Sequence, residues 1–273
     1  MNETFNYNTY LENRLKFDFT LGGVGYKGLG TSYNEYLYKI RRFLFEKEID
    51  KLISLDKDFR KEKILDVGSG TGFYLNLWLS RGLLPKQIIG SDLTDISVLK
   101  LNENFFERGI KIHKLDIGKE IESDDLKNDR FLCISAFDIL FHIVDDVAYE
   151  QAFKNISDFL FVGGYFIFTE NFLKKNRISQ DHQVSRTESE IRDLLKKNRF
   201  SVEKIVPVFF FMNYPIDGNR LLKLIWRLFF FPLKKFNFLG IVYGLLLMPF
   251  EILFTRLPFI RGSGTKMIIC RKF

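Results

Sequence analysis

Ile64-Leu65-Asp66-Val67-Gly68-Ser69-Gly70-Thr71-Gly72-Phe73 joins an apolar run, three glycines at alternate positions and the start of a helical pattern. The apolar run reads as a buried strand. The glycines read as a turn that enters positive φ and lets a ligand approach the backbone closely. Free N–H groups at the helix start favour an anionic group such as a carboxylate. A dinucleotide site would want a further glycine at position 73 for close helix–strand packing. Phe73 stands there, and the spacing favours a different nucleoside ligand.

Outward from this stretch the chain alternates. Strands are expected at Lys63–Val67, Gln87–Gly90 (ending at Asp92), Ile110–Leu115, Phe131–Ala136, Tyr165–Thr169, Ser201–Phe211 and Lys266–Arg271. Helices are expected at Phe73–Arg81, Ile96–Arg108, Val147–Phe161 and Thr187–Lys197, the last opened by a Thr187/Glu190 capping box. Apolar strands alternating with helices of this length predict an α/β fold, doubly wound around a mostly parallel sheet covered on both faces. The expected organisation is an N-terminal cap over 1–60, a core over 61–212, a basic apolar insert over 213–263 and a closing strand of the core over 264–273.

Two acids sit at successive strand ends. Asp92, in Gly90-Ser91-Asp92-Leu93, follows the second strand, where a carboxylate is placed to accept from a ribose diol. Asp116, in Leu115-Asp116-Ile117, ends the third strand beside the same crevice. With these in place, residues 63–170 resemble the core of the class I S-adenosylmethionine-dependent methyltransferases. The resemblance covers a little under half of the chain. It implies a seven-stranded sheet whose last strand is antiparallel, and S-adenosyl-L-methionine as cofactor. It implies that the cofactor is bound by Asp66, Gly68, Ser69, Gly70 and Gly72 of the loop and by Asp92 at the ribose with Leu93 against adenine. Asp116 would reach the adenine amino group with Ile117 alongside. Ala136, on the strand leading to the acceptor site, completes the set, and Gly163-Gly164 matches the family's turn before the fifth strand.

His142 follows the fourth strand, and a neutral imidazole beside an acceptor hydroxyl serves as a general base. His182, in Asp181-His182-Gln183, is the second candidate base, whereas His113 lies within the third strand as a structural residue. The glycine-rich Leu21–Gly30 has no strand before it and no Gly-Lys-Ser/Thr ending, which argues against a phosphate loop. It reads as a lid over the cofactor, with Tyr26 and Tyr33 facing the site. Similar glycine–tyrosine segments precede the core in bacterial methyltransferases linked to surface-glycan synthesis.

Charge is uneven. The chain carries a formal +7, but from Asn213 onward ten Lys and Arg face two acids, a surplus of eight, which leaves the first 212 residues at −1. A local basic surplus points to a local anionic partner. The two cysteines, Cys133 and Cys270, lie far apart in apolar runs, so neither a metal site nor a disulfide framework is expected. The start, Met1-Asn2-Glu3-Thr4-Phe5-Asn6, lacks the pattern of a signal peptide, and a cytoplasmic location is expected.

In the insert, Leu221–Phe231 is apolar and aromatic, and Phe236–Phe250 runs fifteen residues without a charge between Lys235 and Glu251. A transmembrane helix needs about 20 apolar residues, and Pro249 interrupts this run. Trp and Phe flanked by Arg220, Lys223, Arg227, Lys234, Lys235, Arg256 and Arg261 suit peripheral contact of residues 220–261 with an anionic membrane surface. The other readings are a helical subdomain over the acceptor pocket and a dimer contact. Nucleic acid is not expected, because the basic residues are interleaved with Phe and Leu. The expected function is methyl transfer to an oxygen or nitrogen, most simply a sugar hydroxyl of a glycan or lipid-linked glycan. The alternatives are methylation of a membrane lipid or quinone-type ring, and a catalytically silent tethering subunit.

Overall fold

The computed structural model describes residues 7–26, 28–121, 126, 128–180, 182–255, 262 and 264–273. Arg256 and Arg261 of the expected basic rim, Asp181 and the segment Met1–Asn6 lie outside the described residues.

Strands β1 (Ile64–Val67), β2 (Ile88–Asp92), β3 (Lys111–Lys114), β4 (Phe131–Ala136) and β5 (Leu160–Asn171) come first. A small hairpin, β6 (Ile178–Gln180) and β7 (Gln183–Ser185), precedes β8 (Phe200–Pro207) and β9 (Thr265–Lys272). Seven of these form one sheet in the order β3-β2-β1-β4-β5-β9-β8. Pairings among β1 to β5 are parallel, and β9 inserts antiparallel between β5 and β8. The expected doubly wound, mostly parallel sheet with an antiparallel last strand is what the chain forms. From β1 the chain moves outward to β2 and β3, then returns to β4 on the other side of β1. That reversal opens a crevice beyond the carboxyl ends of β1 and β4. Register sets Asp66 beside Ser135 of β4 and Val67 beside Ser91 of β2.

Successive residues of each strand point to opposite faces. Ile64, Ile88, Cys133 and Ile167 pack with α3 (Thr31–Leu55), α4 (Phe73–Ser80) and α5 (Asp95–Phe105). Leu65, Ile89, Ile134 and Phe166 pack with α6 (Asp146–Phe159) and α7 (Glu188–Lys197). Burial on both faces is why these strands are continuous apolar runs. The helix starts are fixed by side chains: Thr94 accepts from Ser97 N, Asp145 from Ala148 N, and Thr187 and Glu190 form the reciprocal box.

Before α3 lie α1 (Tyr7–Phe17) and the single turn α2 (Leu21–Val24); after β8 come α8 (Arg220–Phe230) and α9 (Leu239–Phe254). Two expectations are corrected here. The strand expected to reach Phe211 ends at Pro207, because the N–H groups of Phe210, Phe211 and Met212 donate to the carboxylate of Glu251 at 2.5–2.7 Å. Pro249 does not break the apolar run: α9 continues through it to Phe254. The helix is held on both sides of the proline. Gly240 and Gly244 sit against α3, and Glu251 anchors the far end. The hairpin β6–β7 carried no recognised sequence signal.

Candidate active site

The glycine loop has the conformation its composition requires. Gly68, Gly70 and Gly72 have φ of 71°, 54° and 83°, a region that costs an L side chain about 1 kcal/mol or more. Two of them are also packed. A Cβ on Gly68 would fall inside the Ile139 side chain, and one on Gly72 would lie 2.5 Å from the Phe105 ring. Gly70 is the least crowded of the three: a Cβ there would meet Val24 Cγ1 of α2 at 3.6 Å, ordinary van der Waals contact.

Asp66 is buried beneath that loop. Its Oδ1 accepts from Ser135 Oγ at 2.6 Å, and Ser135 Oγ in turn accepts from Trp78 Nε1. Its Oδ2 has no hydrogen-bond partner among the described residues. Burial is the main reason its pKa rises to about 7, against the lowering effect of Ser135 and Ser69. Ser69 ties the loop to β2, donating from N to Ser91 O and from Oγ to Asp66 O.

Asp92 is nearly as buried, and its pKa is also raised, chiefly by desolvation. Oδ2 accepts from Gly70 N at 2.9 Å, and Oδ1 accepts from Thr94 N and Oγ1 at 2.9 and 2.8 Å. One carboxylate thus joins the glycine loop to the start of α5. Leu93 is half-buried and Ala136 fully so. Asp116, two residues beyond β3, is half-buried; its Oδ1 accepts from Gly118 N, and Lys119 is 3.3 Å from Oδ2. Ile117 is buried, and its carbonyl accepts from Asn155 Nδ2 at 2.8 Å.

The two candidate bases meet. His142 closes a tight turn, Leu140–His142, after β4, and its Nδ1 lies 2.9 Å from the carbonyl oxygen of His182 in the β6–β7 hairpin. A carbonyl only accepts, so Nδ1 carries the proton. The rings are 6.2 Å apart and nearly parallel. Burial lowers the His142 pKa to about 4, which keeps the imidazole neutral near pH 7. Ile139, three residues earlier, is the side chain that covers Gly68, so the turn bearing His142 adjoins the glycine loop. His113 lies in β3.

The expected lid residues face elsewhere. Tyr33 is fully buried, donates its hydroxyl to Met212 O at 2.7 Å and packs on Phe230. The Tyr26 ring is 6.4 Å from Trp226 of α8. Both tyrosines address the insert. It is Val24 that lies over Gly70, while Glu12 Oε2 reaches Ile96 N at 3.4 Å.

A cluster that the sequence reading missed stands at the same strand ends. Asp138 has φ 59°, accepts from Arg41 Nε at 2.7 Å, and is bound to Thr169, which accepts from Asp138 N and donates to Asp138 Oδ1. Arg41 belongs to α3 and lies between the Tyr38 and Phe209 rings; despite burial, Asp138 drives its pKa further up. The strand-end rule that picked out Asp92 and Asp116 extends to Asp138. Nothing in the α3 sequence singles out Arg41.

Residues 64–164 match a family model described as a methyltransferase domain. Among solved structures, magnesium protoporphyrin IX methyltransferase from Synechocystis PCC 6803 with bound SAM superposes with a TM-score of 0.59 at 12% identity, covering 100% of both chains. An O-methyltransferase from a Brevibacillus brevis polyketide multienzyme, in complex with S-adenosyl-L-homocysteine, gives 0.55 at 18% identity, covering 91% of this chain and 81% of that one. The N-methyltransferase NodS of Bradyrhizobium japonicum WM9 gives 0.52 at 11%, covering 98% and 99%. At these identities the structures share the fold. A comparison with curated proteins returns no match. The glycine loop, the strand order and the domain match agree: residues 64–164 are a methyltransferase domain on the Rossmann-like methyltransferase fold, and S-adenosylmethionine is its cofactor.

Proposed function

We propose that this methyltransferase acts on an oxygen acceptor, a sugar hydroxyl of a glycan carried on a lipid. The observation that carries the reading is His142, an imidazole held neutral beside the crevice with its proton fixed on Nδ1. A hydroxyl becomes a competent nucleophile when a base removes its proton as the bond forms, whereas a neutral amine needs less help. The His182 carbonyl fixes the tautomer, so His142 is the catalytic base and His182 the positioning residue.

The residues present fit the cofactor. The orphaned Asp66 oxygen under the loop suits an ammonium group, and the methionine carboxylate would approach the loop at Gly70, its least crowded point, beside the start of α4. Asp92 would take the ribose diol with Leu93 against adenine, Asp116 the adenine amino group with Ile117 alongside, and Ala136 would line the base of the pocket. When bound, S-adenosylmethionine supplies an electrophilic methyl on a sulfonium. The chain's contribution is to align the acceptor, exclude water and accept the hydroxyl proton at His142. Asp138, held by Arg41 and Thr169, borders the same strand ends and would orient the acceptor.

The test is transfer of labelled methyl to fractionated glycolipid, lipid and soluble extracts, with His142→Ala in parallel. Label in glycolipid that falls about 100-fold or more with the variant supports the reading. Label confined to soluble metabolites removes the lipid-linked acceptor. Unchanged transfer to an amine by the variant assigns the enzyme to nitrogen. Bound cofactor with no transfer to any fraction would favour the silent subunit.

A further inference from the structure

We infer that α8 and α9 form a docking face that lies flat on an anionic lipid bilayer, with the helix axes in the membrane plane. α9 is the outermost layer on one side of the molecule, beyond α3. Its inner face fits α3 closely: a Cβ on Gly244 would fall inside the Tyr36 ring, and one on Gly240 would lie 2.5 Å from Tyr33 N. Its outer face exposes Ile241, Val242, Leu245, Leu246, Phe250 and Leu253. These recur at the helical spacing of a single continuous stripe. A helix apolar all round is expected to be covered all round, and here only one side is.

α8 repeats the arrangement. Trp226 and Phe230 turn inward, with Trp226 Nε1 donating to Phe211 O and Phe230 packing on Tyr33. Leu221, Leu224, Ile225 and Leu228 point outward at helical spacing and are more than half exposed. The two helices meet where Tyr243 packs on Phe229 and donates to its carbonyl.

The charge around this face selects the occupant. Arg220, Arg227, Lys234 and Lys235 are exposed and Lys223 is half-exposed. None of the five has a carboxylate partner among the described residues. The one acid between Asn219 and Thr255 is Glu251, buried and bound to three backbone N–H groups. An ordinary soluble surface mixes both signs, whereas the segment from Asn219 to Thr255 is apolar with exposed charges that are all basic. An isologous contact with a second copy would set basic groups against basic groups with no exposed acid from this segment to balance them. Anionic headgroups balance them directly, and lysine and arginine stems reach such headgroups from an apolar surface.

Depth follows from length. Sixteen residues of α9 make about 24 Å of helix, short of the roughly 30 Å hydrocarbon layer. No helix among the described residues is long and apolar enough to cross a membrane. The attachment to α3 keeps α9 in plane, the geometry of an interfacial helix.

The test is co-sedimentation of the full chain with vesicles of phosphatidylcholine alone and with about 30% phosphatidylglycerol. We expect at least about tenfold more binding to the anionic vesicles, a loss of about tenfold in Leu245→Asp/Leu246→Asp, and a similar loss in Lys234→Glu/Lys235→Glu that high salt reproduces in the native chain. Each variant must keep the native melting temperature and cofactor affinity; a second pair, Leu221→Asp/Leu224→Asp on α8, is used where the first fails to fold. Equal binding to neutral vesicles, or no binding to either, overturns the proposal. So does a dimer by light scattering that the Asp variants dissociate without any vesicle binding. The inference stands apart from the acceptor assignment. Vesicle binding with methylation of a soluble acceptor refutes only the proposed function, and methylation of a glycolipid in detergent without vesicle binding refutes only the docking face.

Discussion

Asp66 of β1 and Asp92 of β2 show how one carboxylate type takes two settings around a single loop. Asp92 spends both oxygens on Gly70 and Thr94, so it is a structural tie as well as a proposed ribose ligand. Asp92→Asn keeps the shape and removes the charge. Cofactor affinity by calorimetry is expected to fall about tenfold to 100-fold, the size of a hydrogen bond to a charged group, and the melting temperature is expected to fall as well, because the buried amide must turn its NH2 toward a backbone N–H that Asp92 satisfies. Asp66 has one oxygen without a partner and a pKa near 7. At pH 6 the folded protein therefore holds a proton on Asp66 that its unfolded chain has lost. An ammonium group placed beside it favours the carboxylate, so cofactor binding at pH 6 is expected to release up to one proton, read by calorimetry in buffers of different ionisation enthalpy. Asp66→Asn should abolish the release, and identical heats in all buffers would argue against the placement. His142 has the opposite sign. Its pKa falls from the usual 6.5 to about 4, so its neutral form supports folding fully above pH 6.5 and that support is lost as pH falls toward 4. The acid limb of the rate profile is accordingly expected near pH 4 instead of 6.5; a limb at 6.5 would exclude this imidazole as the base.

Elements differ in how far the chain spells them out. β1, β2 and β4 were legible because both their faces are buried, which writes a continuous apolar run next to a glycine or acid at the strand end. The capping box at Thr187 was legible because its chemistry is local. The end of β8 was not, since Phe209, Phe210 and Phe211 read as strand while their neighbourhood is set by Glu251, forty residues away. The course of α9 through Pro249 was hidden for the same reason. Glu251→Ala should strand three backbone donors and cost about 2–4 kcal/mol, concentrated in the insert. Hydrogen exchange is expected to rise in 208–213 and α9 while β1, β2 and β4 keep their protection. Uniform loss across the sheet would mean that the insert and core unfold as one unit.

Across the whole molecule, α3 links the parts that the sequence presents separately. It packs on the sheet, lends Arg41 to Asp138 at the strand ends, and carries α9 on its outer side. None of these pairings is visible in a local pattern, because partners such as Tyr36 and Gly244 or Arg41 and Asp138 are set by three-dimensional closure. The N-terminal cap completes the arrangement. Val24 lies over Gly70, Glu12 approaches the start of α5, and Arg14 holds α2 by donating to the carbonyls of Gly22 and Gly25. The cap therefore covers the least crowded part of the glycine loop, and with the cofactor at the proposed site its passage would require α1 and α2 to move aside. Removing residues 1–25 is expected to speed both binding and release of S-adenosylmethionine in stopped-flow measurements. Release should gain more, so that affinity drops about tenfold, as when a covering segment is lost. Because α3 begins only at Thr31, the sheet and its melting temperature should be largely preserved. Exchange rates identical to those of the full chain would show that the cap does not lie across the path of the cofactor.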